Sequence, residues 1–232
     1  MDTDGVSIAD RGFLVRFHDR RHAGRVLAGK LRHYRAKPGV VVLALPRGGV
    51  PVGFEVALAL DASLDVFIVR KLGVPGHEEY AMGAIATGDV RFLNPDVAAL
   101  RIPDAAIQAV IERERRELKR REVLYRDDRP SLALEGLTVI LVDDGLATGS
   151  TMQAAVMAVR QRNPQRIVVA VPVAAPETCA VFQAAVDEVI CAITPEPFRA
   201  VGVWYDDFGQ TSDEEVRVLL DAAWRGAAER AT

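Results

Sequence analysis

The stretch VILVDDGLATGSTM, residues 139–152, carries the strongest structural signal in the chain. It begins with four aliphatic residues, continues with two adjacent acids and ends in small and hydroxyl-bearing residues. A short apolar run of this kind predicts a buried strand, which delivers Asp143 and Asp144 to the edge of a sheet. Two like charges there are costly unless donors or a cation accept them, so the pair predicts a site for vicinal hydroxyls or a magnesium shell.

The loop after the acids predicts an anion site. It turns between two glycines and enters a helix that begins near Ser150. Free N–H groups, the helix dipole and the hydroxyls of Thr148, Ser150 and Thr151 then converge on one point. Each fragment alone is also an ordinary cap or turn. Their combination behind a buried strand favours a bound phosphate.

Apolar strands and helices alternate on both sides of this stretch. Further strands are predicted at residues 40–46, 64–70, 166–173 and 187–193, and a weaker one within 81–94. Helices are predicted at 49–60, 150–162 and 176–186, and a first helix is capped by Asp19. This alternation predicts an α/β fold, with helices flanking a mostly parallel twisted sheet. We expect a single domain over residues 1–232.

Composition narrows the class of protein. About half of the 232 residues are apolar, enough for a sizeable core, and the net charge of -3 provides no general field for nucleic acid. Cys179 and Cys191 lie outside any C-x-x-C motif, so neither a disulfide framework nor a zinc site is expected. No apolar run reaches about 18 residues. We therefore expect a cytoplasmic protein with no membrane partner.

One segment interrupts the alternation of strands and helices. Residues 102–131 predict a long charged helix with five apolar residues along one side: Ile107, Val110, Ile111, Leu118 and Tyr125. We interpret it as a helical insertion at about residues 100–130, one that could cover the mouth of the site. Its charges favour a solvated face with i,i+4 pairs, and an RNA-binding face is the alternative.

With its acid pair and T-G-S-T loop, VILVDDGLATGST resembles the signature of type I phosphoribosyltransferases, especially the adenine-type pattern D-D-x-x-A-T-G. The resemblance implies that Asp143 and Asp144 are catalytic and hold the ribose hydroxyls of phosphoribosyl pyrophosphate (PRPP). It implies a 5′-phosphate site formed by Ala147, Thr148, Gly149, Ser150 and Thr151. Hypoxanthine-guanine-type enzymes carry an Asp base where Ala147 stands here. Because alanine cannot take a proton, a 6-oxopurine acceptor is disfavoured.

Two other stretches resemble further loops of the family. LALPRGGVPVG, residues 43–53, implies a pyrophosphate loop with Arg47, Gly48 and Gly49, although a Gly-rich turn with a solvated arginine is the alternative. IVRKLGVPGHEEYAMGAIATG, residues 68–88, resembles the flexible catalytic loop. There Lys71 would reach the diphosphate. Glu79 would be catalytic, with an exposed loop acid as the alternative.

The aromatic segment PFRAVGVWYDDFGQTSDEEV, residues 197–216, resembles the family's hood over the base, which we place at about residues 195–215. The resemblance implies substrate binding by Trp204 and an acid near magnesium at Asp206. Aromatic faces suit a planar base. Alternatively, Trp204 and Phe208 anchor the last helix.

The resemblance implies a magnesium-dependent enzyme of nucleotide salvage that transfers 5-phosphoribosyl from PRPP to a nucleobase-like acceptor and releases diphosphate. The rival is a non-catalytic protein of the same fold that senses PRPP for regulation or binds RNA. Lys71 and the flexible catalytic loop that carries it favour the enzyme, whereas only the basic run at residues 113–121 favours RNA binding. The acceptor base and the oligomeric state stay open, a homodimer being one option.

Overall fold

A computed structural model describes residues 16–88, 90–93, 102–127 and 129–230. In chain order the strands are β1 Val40–Ala44, β2 Ser63–Val66, β3 Val69–Val74, β4 His77–Ala86, β5 Val90–Leu93, β6 Thr138–Val142, β7 Arg166–Val173 and β8 Glu188–Ile193. The helices are α1 Arg20–Lys30, α2 Gly49–Leu60, α3 Asp104–Arg126, α4 Ser150–Arg160, α5 Pro176–Gln183 and α6 Asp213–Arg230.

The central sheet is parallel and has the strand order β2-β1-β6-β7-β8. Neighbouring residues of a strand pack into hydrophobic cores on opposite faces of the sheet. Val42 and Ile140 pack towards α1, α2, α3 and α6, whereas Val41 and Val139 pack towards α4 and α5. Both faces of the sheet are therefore covered, which explains the nearly continuous apolar strands. The α/β prediction is confirmed.

The pairing of β1 with β6 fixes the position of the site. Ala44 lies opposite Val142 in the parallel register, so the two strands end together. The segments that follow them, Pro-Arg-Gly-Gly after β1 and Asp-Asp after β6, consequently meet at one edge of the sheet. Open α/β sheets bind their ligands at this carboxyl edge.

A second sheet differs from the prediction. Residues 64–70 were expected to form one strand, but the strand ends at Val66 and β3 begins at Val69 in a separate antiparallel sheet of β3, β4 and β5. The predicted flexible catalytic loop is instead a hairpin, in which Lys71 lies on β3 and Glu79 lies on β4. Long-range pairing, such as Lys71 with Ala84, sets these strands, and local periodicity does not reveal it.

Helix α3 buries the apolar side that the sequence predicted. The five apolar residues predicted to line one side of it are all buried, and the helix packs against β3 and α6. Arg70 on β3 donates two hydrogen bonds to Glu114, at 2.6 and 2.9 Å, which ties the helix to the antiparallel sheet. Because no α3 residue lines the cavity beside the acid pair, the helix does not cover that part of the site.

Two findings concern the general properties of the chain. Cys179 on α5 and Cys191 on β8 lie together as a disulfide, with the sulfur atoms 2.50 Å apart, a pairing that their spacing in the sequence did not predict. None of the described helices is both long and apolar enough to cross a membrane.

Candidate active site

Asp143 and Asp144 follow β6 directly and lie half-buried at the edge of the sheet. Asp143 Oδ1 accepts a hydrogen bond of 2.8 Å from the backbone N–H of Asp144. Asp144 Oδ2 accepts one of 2.8 Å from Nε of Arg20, and the Tyr205 hydroxyl donates to the Asp144 carbonyl oxygen at 2.6 Å. The backbone and one carboxylate oxygen of Asp144 are therefore fixed in place.

The environment raises the pKa of both carboxyl groups. Burial raises the pKa of Asp143 well above its usual value, and the adjacent charge of Asp144 raises it further. Burial also raises the pKa of Asp144, while the hydrogen bond from Arg20 lowers it in part. An acid pair of this kind gains from a ligand whose hydroxyls donate to it, because donors stabilise the charged form.

A cavity of about 170 Å³ lies beside the acid pair, at the start of α4. Gly149 precedes that helix with no side-chain cap, so the N–H groups of the first turn stay available to an anion. The lining includes the residues predicted to hold a phosphate and a basic side chain. It consists of Lys71, Asp143, Gly145, Leu146, Ala147, Thr148, Gly149, Ser150, Thr151, Met152 and Val201.

The predicted phosphate loop begins and ends with a glycine, Gly145 and Gly149. At both positions the surroundings leave no room for a side chain. A Cβ at Gly145 would lie 2.6 Å from Cγ1 of Val201, and one at Gly149 would lie 2.6 Å from Cε2 of Phe182. Gly149 also has a φ of +70°, in the left-handed region. At its other end the loop is pinned to β7, because the Leu146 N–H donates to the Val173 carbonyl at 2.8 Å.

The Pro-Arg-Gly-Gly loop packs directly on the acid pair. A Cβ at Gly48 would overlap Oδ2 of Asp144, and one at Gly49 would lie 2.8 Å from the Val142 carbonyl oxygen. Gly48 therefore allows the Asp144 carboxylate to approach the loop, and Gly49 allows two backbones to approach closely. Arg47 is partly exposed, with Nη1 at 3.9 Å from Oδ1 of Asp213 at the start of α6. The predicted diphosphate loop and the acids thus form one site.

The predicted catalytic loop contributes a cation to this site. Lys71 is exposed on β3 and, together with Asp143, lines the cavity at the start of α4. It also lines a neighbouring cavity of about 200 Å³ between the antiparallel sheet and α4. The side chain of Glu79 lies outside the described residues, so its predicted role stays a prediction.

The hood segment packs on the core through Trp204. This residue is only 5% exposed and contacts Phe17 and Val173, whereas its predicted substrate binding and the alternative that it anchors the last helix stay predictions. Phe208 is partly exposed, but the Arg20 guanidinium lies over its ring, 4.0 Å from the centroid. Asp206 is exposed, and its predicted place near magnesium stays a prediction.

Comparison with known proteins identifies the family. A family model described as phosphoribosyl transferase domain matches residues 18–207. Relatives from Mycobacterium tuberculosis strains CDC 1551 / Oshkosh and H37Rv, which carry the provisional name phosphoribosyl transferase, are each 48% identical over 214 residues, covering 92% of this chain. The crystal structure of TT1426 from Thermus thermophilus is 45% identical and superposes with a TM-score of 0.79, covering 88% of this chain and 97% of that chain. This chain belongs to the type I phosphoribosyltransferase family.

The chain spans about half the length of the two mycobacterial relatives, since the match covers 48% of each. Some residues that the structure adds to the candidate site were not predicted. Arg20 and Val201 reach it from segments distant in sequence, and 124 residues separate Arg20 from its partner Asp144. No local motif marks Arg20. Val201 lies in the segment that resembles the hood, but nothing in the sequence indicated that it reaches this cavity.

Proposed function

We propose that this chain transfers a 5-phosphoribosyl group from PRPP to a nitrogenous base and releases diphosphate. The observation that supports it most is the cavity at the start of α4, where uncapped N–H groups, Lys71 and Asp143 lie together. The 5′-phosphate would bind to the helix start. The ribose hydroxyls would then donate to Asp143 and Asp144, and the diphosphate would lie against Gly48 and Gly49.

In this reaction, charge develops at positions where the site has side chains that can stabilise it. The bond between the anomeric carbon and the diphosphate oxygen breaks, and its electron pair leaves with diphosphate. The acceptor nitrogen forms the new bond, and its proton passes to water. Positive charge develops on the sugar, as in other glycosyl transfers, and negative charge develops on the leaving group. Arg47 and Lys71 would stabilise the leaving group, and preorganised donors of this kind usually supply the largest catalytic contribution.

Magnesium fits this arrangement as an ion carried largely by the substrate. Among the described residues, no group of three or more His, Cys, Asp or Glu side chains could hold a metal. Mg²⁺ commonly uses one or two carboxylates together with substrate phosphates, so a single acid such as Asp206 suffices in principle. When bound, the ion would neutralise charge on the diphosphate.

The rival functions gain little from the described contacts. The basic run on α3 is largely paired within the helix: Arg113 donates to Glu114, while Arg120 and Arg121 donate to Glu117. These pairs fit the solvated face better than an RNA-binding face. A PRPP sensor would use the same cavity without turnover, so only an activity measurement separates it from the enzyme.

The test is magnesium-dependent release of diphosphate from PRPP in the presence of a panel of nucleobases. Asp144→Ala is expected to lose roughly a hundredfold or more in kcat/KM, as loss of a charge-assisted contact in the transition state implies. Glu135→Ala, which removes a carboxylate from an exposed turn, is the control and is expected to match the parent protein. Binding of PRPP without turnover with any base would support the sensor, and unchanged activity in Asp144→Ala would reject the site.

A further inference from the structure

Arg20 is a cation of the site that neither the sequence motifs nor the proposed catalytic groups include. It is the first residue of α1, and its side chain is only 12% exposed while that of its partner Asp144 is 17% exposed. Three contacts hold it: Nε donates to Asp144 Oδ2, Nη1 donates to the Gly209 carbonyl at 2.6 Å, and the guanidinium lies over Phe208. A side chain restrained on three sides is preorganised for a specific contact.

Arg20 lies close to the loop that is predicted to bind the diphosphate. A Cβ built on Gly48 would lie 3.2 Å from Nε of Arg20. The guanidinium therefore lies beside both Asp144, on the ribose side, and the loop that would hold the diphosphate. It also lines a cavity of about 270 Å³ between the starts of α1 and α2 and the hood segment, together with Arg21, Pro51, Asp207 and Gly209.

Two atoms of the ion pair remain available for a ligand. Among the described residues, Nη2 of Arg20 has no hydrogen-bond acceptor, and Oδ1 of Asp144 has no side-chain donor. A guanidinium that has used one edge for a carboxylate still presents planar donors to a phosphate oxygen. Oδ1, in turn, is the oxygen left to accept a ribose hydroxyl.

We propose that Arg20 binds the diphosphate of PRPP directly and is a further binding residue of this site, an inference that rests on the proposed function. Nη2 donates to a diphosphate oxygen lying on Gly48, while Nε stays on Asp144. The same cation thereby stabilises the ionised acid that receives the sugar and the group that leaves it. Phe208 then serves chiefly as the platform for Arg20, which explains why its face is covered.

The experiment compares two ligands that report on opposite ends of the pocket. Inorganic diphosphate with magnesium and ribose 5-phosphate are titrated calorimetrically into the parent protein, Arg20→Ala, Arg20→Lys and the control Arg35→Ala, which removes an exposed arginine. Arg20→Ala is expected to weaken diphosphate binding roughly tenfold to a hundredfold, as loss of a charged hydrogen bond implies. Ribose 5-phosphate binding is expected to weaken clearly less, because its phosphate site at the start of α4 is untouched and only the contact of the ribose with Asp144 is affected.

The variant Arg20→Lys tests whether a positive charge alone restores diphosphate binding. It keeps the charge but loses the planar donors, so its affinity for diphosphate should fall between those of the parent and Arg20→Ala. A merely structural role would instead weaken both ligands alike in both variants, and that result would overturn the inference. Unchanged diphosphate affinity in Arg20→Ala would overturn it as well. If the parent protein binds ribose 5-phosphate but not diphosphate, the inference falls alone; if it binds neither of them nor PRPP, the proposed function falls too.

Discussion

At the scale of single residues, Gly149 makes the phosphate loop possible because both its φ of +70° and its crowded surroundings exclude a side chain. Gly149→Ala would force a Cβ to 2.6 Å from the Phe182 ring. We expect a loss of about 1–3 kcal/mol in the free energy of unfolding, measured with urea, from the strained backbone. Weaker ribose 5-phosphate binding should accompany it, since the loop must shift.

Gly29→Ala is the matched control. Gly29 is exposed within α1, and a Cβ there would meet nothing within 4 Å. Replacing a helical glycine by alanine should stabilise the protein by about 0.5–1 kcal/mol. If both substitutions change stability equally, the account of Gly149 is wrong.

The raised pKa of Asp143 leads to a prediction about pH. Because the folded protein holds this proton more tightly than the unfolded chain, the side chain contributes stability below its unfolded pKa and loses it as the pH rises through the folded pKa. A ligand hydroxyl needs the ionised form, so affinity should rise over the same interval. Calorimetric titration of ribose 5-phosphate across pH should therefore show a dependence that Asp143→Asn loses.

Comparison of the parent and Asp143→Asn cancels the ionisation of the ligand phosphate, which is common to both. At a pH above the folded pKa of Asp143, the variant should also be more stable than the ligand-free parent, because it removes a charge next to Asp144. Identical pH profiles for the two proteins would contradict the assigned environment of Asp143.

The acid pair and its loop could be predicted because they are contiguous in the sequence and follow an obvious strand. Arg20 could not be, since its role depends on packing between α1, the hood and β6. Trp204 was an attractive candidate on composition alone, yet an aromatic ring suits a core as well as a ligand, and its burial could not be read from the sequence.

At the scale of elements, the end of α3 is fixed by a buried ion pair. Arg126 Nε lies 2.9 Å from Asp65 Oδ1 on β2, with side chains 5% and 3% exposed. Asp65 also accepts a hydrogen bond of 2.7 Å from the Val66 N–H. Arg126→Met should cost about 3–5 kcal/mol in urea unfolding, because it leaves a buried carboxylate without its partner.

Arg120→Ala on the same helix is the control for that experiment. Arg120 pairs with Glu117 on the outer face, where solvent screens the interaction. Its unfolding midpoint should match that of the parent within experimental error. An equally small effect of Arg126→Met would show that β2 does not depend on α3.

Strands β1, β6 and β7 of the central sheet could be predicted because each is short, apolar and followed by a helix. The antiparallel sheet could not, because β3 and β4 carry mixed residues whose structure depends on pairing across the hairpin. This is why residues around Lys71 were expected in a mobile loop.

At the scale of the whole molecule, the charge distribution predicts no general affinity for RNA. The net charge is -3, and three arginines of the basic run on α3, Arg113, Arg120 and Arg121, are paired with glutamates of the same helix. Fluorescence anisotropy with labelled single-stranded RNA should therefore show no binding at physiological salt. Tight binding that weakens steeply with added salt would restore the RNA-binding alternative.

The central claim is that one sugar phosphate binds across the sheet edge, from the start of α4 to the Pro-Arg-Gly-Gly loop. A crystal structure with PRPP and magnesium tests it most directly. It should show the 5′-phosphate accepting hydrogen bonds from the N–H groups of Ser150 and Thr151, and the ribose hydroxyls donating to Asp143 and Asp144. PRPP bound elsewhere, or with its sugar away from the two acids, would contradict the account.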